Sequence, residues 1–232
     1  MRHRVYVDSL APVVTVAGDE FHHAIRVVRA RAGEEIELFD ASGKMARGTI
    51  EAIEGNYATV RIDKELPSRE SKLDVHLAMA IIQLEKFELV LQKATELGVR
   101  SIIPLITDRL ELRKERFAGK MERWQKIVFE AVKQSGRSVA PRLEEPQPFA
   151  TVVARDGAKL FFDADETPST WPASLSAVTV FIGPEGGWTH DEVTLARSHG
   201  CVFARLGPRR LRAETAAIVA CAVIEDRYDD DF

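Results

Sequence analysis

The sequence lacks several features that would assign it to a class of protein at once. It has only two cysteines in 232 residues, Cys201 and Cys221, and both lie in apolar stretches. That usage indicates buried thiols in a reducing compartment rather than a disulfide framework. No CxxC pair or histidine–cysteine cluster predicts a metal site. The phosphate fingerprints GxGxxG and GxxxxGK[ST] are missing too, so we do not expect a di- or triphosphate ligand.

Long hydrophobic runs are also missing. The longest, AAIVACAVI at 216–224, is too short to span a bilayer, and the opening MRHRVYVDSL has no apolar signal-peptide region. A net charge of −4, with 45% hydrophobic and 29% charged residues, gives no global basic field for nucleic acid. We therefore expect a folded cytoplasmic protein without membrane association, in which any nucleic-acid surface is local.

The two parts of the chain have different patterns. Up to residue 66, short β-forming runs are separated by turn residues and interrupted by one helix near 19–28, which predicts a small β-barrel. Residues 66–72 are typical of a linker. From residue 73 onward strands and helices alternate, which predicts an α/β fold with a mostly parallel sheet and helices on its faces. We expect domains at 1–70 and 71–232.

The stretch FIGPEGGWTHDEV at 181–193 runs from an apolar strand through a glycine turn into a helix. Gly186 and Gly187 can adopt positive φ, and Thr189 with Glu192 three residues later predicts a capping box. Ligands of open α/β sheets lie at the carboxyl ends of the strands. The turn is therefore a candidate binding loop, although a plain tight turn explains the glycines alone.

Two other strand ends carry unusual sequence. The strand at 159–165 ends in FFDADE, and the one at 201–207 runs into RLGPRRLRAET, which repeats the Gly-Pro turn. If the three ends are adjacent, they form a cleft of backbone amides, carbonyls and apolar walls. Such a cleft suits a planar, uncharged heterocycle.

The pair IGPEGGWTHDE and LGPRRLRAETA resembles the SPOUT superfamily of methyltransferases, and nearly the whole chain resembles the bacterial 16S ribosomal RNA (uracil-N3)-methyltransferases. Supporting segments are HRVYV, EFHHAIRVVRARAGEEIELFDASG, KFELVLQKATELGV and EAVKQSGR. The resemblance implies a trefoil knot that binds S-adenosylmethionine, a preceding β-barrel of PUA or OB type, and a homodimer formed through the C-terminal domain. Pro208-Arg209-Arg210 and Trp188 depart from the residues expected in the motifs.

The resemblance also implies site residues. The cofactor would be held by residues of the three strand ends and of the last helix, for which Thr215 is also a plausible N-cap: Phe162, Ile182, Gly183, Gly186, Gly187, Leu206, Gly207, Leu211, Ala213 and Thr215. Plain core packing explains the leucines almost as well. The catalytic candidates are Arg212, which would stabilise a uracil anion, and Glu185, a possible proton acceptor beside water.

Clusters of basic residues predict where RNA binds, because the arginine fork suits phosphate. Four arginines stand within eight residues at 205–212. A second cluster lies in the β-rich domain, where a solvated helix is the alternative explanation. The predicted RNA contacts are Arg2, Arg4, His22, His23, Arg26, Arg29, Arg209 and Arg210. The partner would be 16S ribosomal RNA or the small ribosomal subunit.

The expected reaction is methyl transfer from S-adenosylmethionine to N3 of a specific uridine, at the decoding centre of the small subunit, with no metal. Two alternatives remain at this point. One is a related SPOUT enzyme that methylates a ribose 2′-hydroxyl or a guanine. The other is a non-catalytic RNA-binding factor of ribosome assembly, against which the intact glycine motifs argue.

Overall fold

The computed structural model describes residues 4–40, 42–110 and 117–229. The chain divides into two compact units. The first contains Met1–Glu70 together with Val132–Ala140, and the second contains Ser71–Ala131 and Pro141–Phe232. The first boundary lies at residue 70, where the sequence predicts it. The sequence did not predict that residues 132–140 belong to the first unit.

The strands are β1 Arg4–Val7, β2 Val13–Ala17, β3 Glu35–Asp40, β4 Met45–Glu54, β5 Tyr57–Leu66, β6 Asp74–Ala80, β7 Ser101–Ile106, β8 Arg142–Leu143, β9 Gln147–Pro148, β10 Lys159–Phe162, β11 Ala177–Ile182 and β12 Val202–Ala204. The helices are α1 Gly18–Phe21, which continues as a π-helix over His22–Val27, α2 Leu84–Glu96, α3 Met121–Ser135, α4 Phe149–Val153, α5 His190–Ser198 and α6 Ala213–Tyr228.

The first unit is a curled five-stranded sheet in the order β1-β3-β4-β5-β2. Only the β1–β3 pair is parallel; the other ladders are antiparallel. Alternating valines of β1 and β2 point into one core with Phe21, Ile36 and Leu38. No ladder joins β1 to β2 in the described part of the chain, so the predicted barrel is a half-barrel.

The second unit contains a fully parallel sheet in the order β12-β10-β11-β6-β7-β8, with the short β9 beside β7. Successive residues of its strands belong to different cores, as the pleat requires. Leu77 and Met79 pack with α2, α3 and α6, whereas Ala78, Phe161 and Phe181 pack with α4 and α5. The prediction of a parallel sheet with helices on both faces is confirmed. The trefoil knot stays an expectation.

Pro104 lies in β7, and a proline inside a strand is expected in an edge strand or at the end of a strand. That expectation is wrong for the strand as a whole, because β6 pairs along one side and β8 and β9 pair along the other. It holds locally. The β8 ladder covers Ser101 and Ile102, and the β9 ladder covers Leu105 and Ile106. Pro104 falls in the gap between them, where no backbone N–H is needed.

Among the described residues, none of the helices combines the length and apolar character needed to cross a membrane. Both cysteines are buried, as expected. Burial raises the pKa of the Cys201 thiol to about 11. It likewise raises the pKa of Cys221 to about 12. Both side chains are therefore neutral packing residues at physiological pH.

Candidate cofactor site

A cavity of about 340 Å³ lies at the carboxyl ends of β10, β11 and β12. Its walls come from the three loops singled out in the sequence and from the start of α6. The strands are neighbours in the order β12-β10-β11, so their ends meet at one edge of the sheet. The volume is at the lower end of the range typical of small-molecule sites.

Most of the predicted site residues line this cavity. Those of the predicted cofactor set are Phe162, Ile182, Gly183, Gly187, Leu206, Gly207, Leu211 and Ala213, and they are joined by Glu185, Arg209, Arg210 and Arg212. Gly186 and Thr215 are not among the lining residues. Their contact with the cofactor stays a prediction that the cavity lining does not support.

Thr215 is also not the N-cap of the last helix. The helix begins at Ala213, and Arg212 is the N-cap residue, with extended backbone (φ −65°, ψ 152°). The Arg212 carbonyl accepts from Ala216 N at 2.8 Å. The expected capping box of α5 is confirmed, because Thr189 and Glu192 exchange side-chain and backbone hydrogen bonds.

The glycines of the GPEGG loop have different structural roles: Gly183 allows close packing of a side chain, and Gly187 allows a positive φ. A Cβ on Gly183 would lie 2.9 Å from the Trp188 ring. Gly187 has φ +71°, the left-handed region, whereas Gly186 is not among the residues with positive φ. Trp188 is 7% exposed, and its indole N–H donates to the Phe162 carbonyl at 3.1 Å. Gly183 is thus required by the tryptophan, which ties the loop after β11 to the end of β10.

Asp108 and Arg109, in the turn after β7, form hydrogen bonds with the GPEGG loop and with the start of α5. The Arg109 guanidinium donates to the Gly186 carbonyl at 2.7 Å. Thr189 Oγ1 donates to Asp108 at 3.1 Å, and Asp108 N donates to Glu192 at 3.0 Å. The second half of the glycine loop and the start of α5 are therefore fixed by residues some eighty positions earlier, which no local pattern in the sequence predicted.

The charged groups at the cavity are not equally available. Arg210 donates to both carboxylate oxygens of Asp165, at 2.6 and 2.7 Å. Glu185 pairs with Lys86 at 3.2 Å. Arg209 and Arg212 are exposed and make no side-chain hydrogen bond or ion pair within the described residues. Of the predicted catalytic pair, Arg212 has an uncommitted guanidinium and Glu185 has a paired carboxylate.

The cavity also includes residues that the sequence analysis did not assign. They are Asp163, Ala164, Pro184, Trp188, Ala204, Arg205 and Ala216. Asp163 directly follows β10, so its place in the FFDADE strand end was a usable signal. Ala216 lies one helical turn after Arg212, and only the true start of α6 brings it to the cavity.

The predicted RNA contacts of the first unit have different surroundings. Arg2 lies outside the described residues. The Arg4 guanidinium donates to the carbonyls of Val132, Lys133 and Arg137 at 2.8–3.2 Å and lies over the Phe39 ring. It fixes the C-terminal end of α3, so we leave Arg4 out of the RNA surface.

The other four RNA candidates of this unit, His22, His23, Arg26 and Arg29, are exposed. The two histidines and Arg26 lie on the π-helix, and Arg29 follows it with φ +64°. No three His, Cys, Asp or Glu side chains within 4–40, 42–110 and 117–229 are grouped to hold a metal ion. The exposed groups form a basic surface on the half-barrel.

Comparisons with known proteins define the class. A family described as "RNA methyltransferase domain" matches residues 69–225, and one described as "RNA methyltransferase PUA domain" matches residues 16–63. The chain therefore belongs to the RNA methyltransferases that carry a PUA domain. The matched ranges agree with the parallel-sheet unit and with the half-barrel.

The particular family follows from full-length relatives. Ribosomal RNA small subunit methyltransferase E of Bacillus subtilis is 31% identical over 92% of this chain and 90% of that protein. The enzyme of the same name from Synechocystis is 34% identical over 91% and 72%. The crystal structure of the Neisseria gonorrhoeae enzyme, bound to S-adenosyl methionine, has a TM-score of 0.89 and 31% identity over 99% of both chains. The chain belongs to the ribosomal RNA small subunit methyltransferase E family.

Proposed function

We propose that this protein transfers the methyl group of S-adenosylmethionine to N3 of one uridine in 16S ribosomal RNA, at the decoding centre. The observation that supports this most is the single cavity formed by three adjacent strand ends, two of which carry Gly-Pro turns. The Neisseria relative binds S-adenosyl methionine, and the named relatives act on small-subunit ribosomal RNA.

The residues of the cavity fit this cofactor. Phe162, Ile182 and Leu206 supply apolar walls for an adenine ring, and the glycine loops expose backbone groups for hydrogen bonds. A Cβ on Gly207 would meet no atom within 4 Å, so this lining residue leaves open space beside its backbone. The full proposed set contains the eight lining residues of the predicted cofactor set together with Trp188, whose ring supports the loop.

When bound, S-adenosylmethionine supplies a methyl group on a sulfonium centre. The protein's own task is to place uracil N3 in line and to stabilise the negative charge that remains when the N3 proton leaves. Arg212 suits that task, because its guanidinium is exposed at the cavity and uncommitted within the described residues. Arginine stabilises the anion without serving as a base. The proton passes to water or to Glu185, whose pairing with Lys86 makes it the weaker candidate.

Positive groups around the cavity and on the half-barrel are proposed to bind the RNA backbone. In the second unit these are Arg209 and Arg210, of which Arg210 is held by Asp165. In the first unit they are His22, His23, Arg26 and Arg29.

We also propose a homodimer formed through the parallel-sheet unit. The outward side of α6 and its neighbour α2 keeps apolar side chains at the surface, with Val223 40% and Leu89 41% exposed. A second copy of the chain would cover them.

The test of catalysis is transfer of labelled methyl groups to small-subunit particles or to 16S RNA. Arg212→Ala should lower turnover by at least 100-fold, while calorimetry shows unchanged affinity for S-adenosylmethionine. Arg100→Ala is the control, because Arg100 is exposed at the opposite, amino end of the sheet. Wild-type turnover in Arg212→Ala would refute the assignment. No transfer by the wild type to either substrate would favour the assembly-factor alternative.

A further inference from the structure

Asp163 is a carboxylate in the cavity wall that the proposed reaction does not use. It is the first residue after β10, and its backbone N–H donates to the Ala204 carbonyl of β12 at 3.2 Å. One carboxylate oxygen, Oδ1, accepts from Asp165 N at 2.9 Å. These bonds fix the residue between two of the strand ends that form the cavity. The other oxygen, Oδ2, makes no hydrogen bond within the described residues.

The neighbouring carboxylates of the same loop are paired with arginines, whereas Asp163 forms no ion pair within the described residues. Both carboxylate oxygens of Asp165 accept hydrogen bonds from Nη2 of Arg210, and Glu166 forms an ion pair with Arg197. The other carboxylate in the cavity wall, Glu185, is paired with Lys86. Asp163 is therefore the cavity carboxylate that still needs a hydrogen-bond donor.

The electrostatic surroundings favour a donor or a positive charge at this point. Burial raises the pKa of Asp163, and the charges of Asp165 and Glu166 raise it further, against a backbone hydrogen bond and the more distant Arg210. A half-buried carboxylate in such a field is stabilised by any group that donates a hydrogen bond to it.

We propose that Asp163 is a cofactor-binding residue whose second carboxylate oxygen accepts a hydrogen bond from a donor group of S-adenosylmethionine. The inference rests on the proposed function. The cofactor has three kinds of donor that can reach a carboxylate: the ribose hydroxyls, the α-ammonium group and the adenine amino group. The backbone carbonyls of the glycine loops can accept a hydrogen bond but carry no net charge, whereas Asp163 supplies an acceptor oxygen together with a negative charge.

The test is calorimetric titration with S-adenosylhomocysteine and with 5′-methylthioadenosine, which keeps the ribose but lacks the amino-acid part. Asp163→Asn is the informative variant, because its amide oxygen can still accept from Asp165 N while an NH2 group replaces the acceptor for the ligand. We expect its affinity to fall by about 10-fold or more. Glu166→Gln is the control, since neither Glu166 nor its partner Arg197 lines the cavity.

The pattern of loss identifies the donor. Weaker binding of both ligands places Asp163 at the adenosine part, on a ribose hydroxyl or the adenine amino group, and weaker binding of S-adenosylhomocysteine alone places it at the ammonium. Either result supports the proposal. Binding of both ligands by Asp163→Asn as tight as by the wild type overturns it, with the melting temperature of the free variant showing that the protein is folded. Failure of the wild type to bind either ligand would instead refute the proposed function.

Discussion

Replacing Gly183 with alanine tests the construction of the cavity directly. The new Cβ would lie 2.9 Å from two atoms of the Trp188 ring, closer than packed carbon atoms approach. The ring is rigid and buried, so it must move, and its hydrogen bond to the Phe162 carbonyl is then strained or lost. Overpacking costs about 1–3 kcal/mol, and the lost hydrogen bond costs about 1 kcal/mol more. The combined loss of about 2–4 kcal/mol lowers Tm by roughly 4–16 °C in a chain of this length.

The same movement shifts two walls of the cavity, so the affinity for S-adenosylmethionine should fall as well. Thermal unfolding and calorimetry of the purified variant measure the two effects. Gly186→Ala is the matched control in the same loop, because its Cβ would meet Arg109 only at 3.5 Å, an ordinary contact. Wild-type stability and affinity in Gly183→Ala would refute the reasoning, and so would an equal loss in Gly186→Ala.

Three further predictions concern the side chains of Arg109, Arg4 and Glu144. Arg109→Ala should weaken binding of S-adenosylmethionine while Arg109→Lys restores most of it, and equal calorimetric affinity of all three proteins would contradict the loop contact. Arg4→Ala should lower Tm without changing affinity for RNA in filter binding, because its donors serve the chain's own carbonyls; a selective loss of RNA affinity would reverse that assignment. Burial alone would raise the pKa of Glu144, but hydrogen bonds from Arg155 and Arg142 hold it at about 2. Because the pKa of Glu144 is depressed in the folded state, its ion pairs stabilise the protein above about pH 4.5, and this stabilisation is lost as the pH falls toward 2. The free energies of unfolding of the wild type and Glu144→Gln, measured against pH, should therefore converge in that range. A constant difference between the two curves would exclude the effect.

The sequence predicted those parts of the fold that depend on local pattern. Short runs of β-forming residues between turns predicted the strands of the first unit, and apolar runs between helices predicted those of the second. The Thr189–Glu192 spacing predicted a capping box that the structure contains. Gly98 directly follows the C-cap of α2 and has positive φ, the conformation for which glycine is preferred after a helix end. The cavity followed from a general rule, that parallel strands bring their carboxyl ends to one edge of the sheet.

What the sequence missed depends on partners distant along the chain. The basic cluster predicts Arg4 as an RNA contact but says nothing of its hydrogen bonds, because the carbonyls that it binds come more than 120 residues later. The start of α6 was placed at Thr215 on its capping preference, whereas the backbone turns into the helix at Arg212 without a side-chain cap. Glycine is needed at position 183 because the Trp188 ring packs against its backbone and leaves no room for a Cβ. Sequence spacing alone does not reveal such a contact.

Nucleoside analysis of the product shows which atom of the RNA receives the methyl group. Small-subunit particles are incubated with the purified protein and S-adenosylmethionine, and the RNA is then digested and analysed by mass spectrometry. We expect 3-methyluridine, confined to one RNA fragment at the decoding centre and formed about 100-fold more slowly when Arg212→Ala replaces the wild type. A 2′-O-methylated nucleoside or a methylated guanine in its place would contradict this expectation.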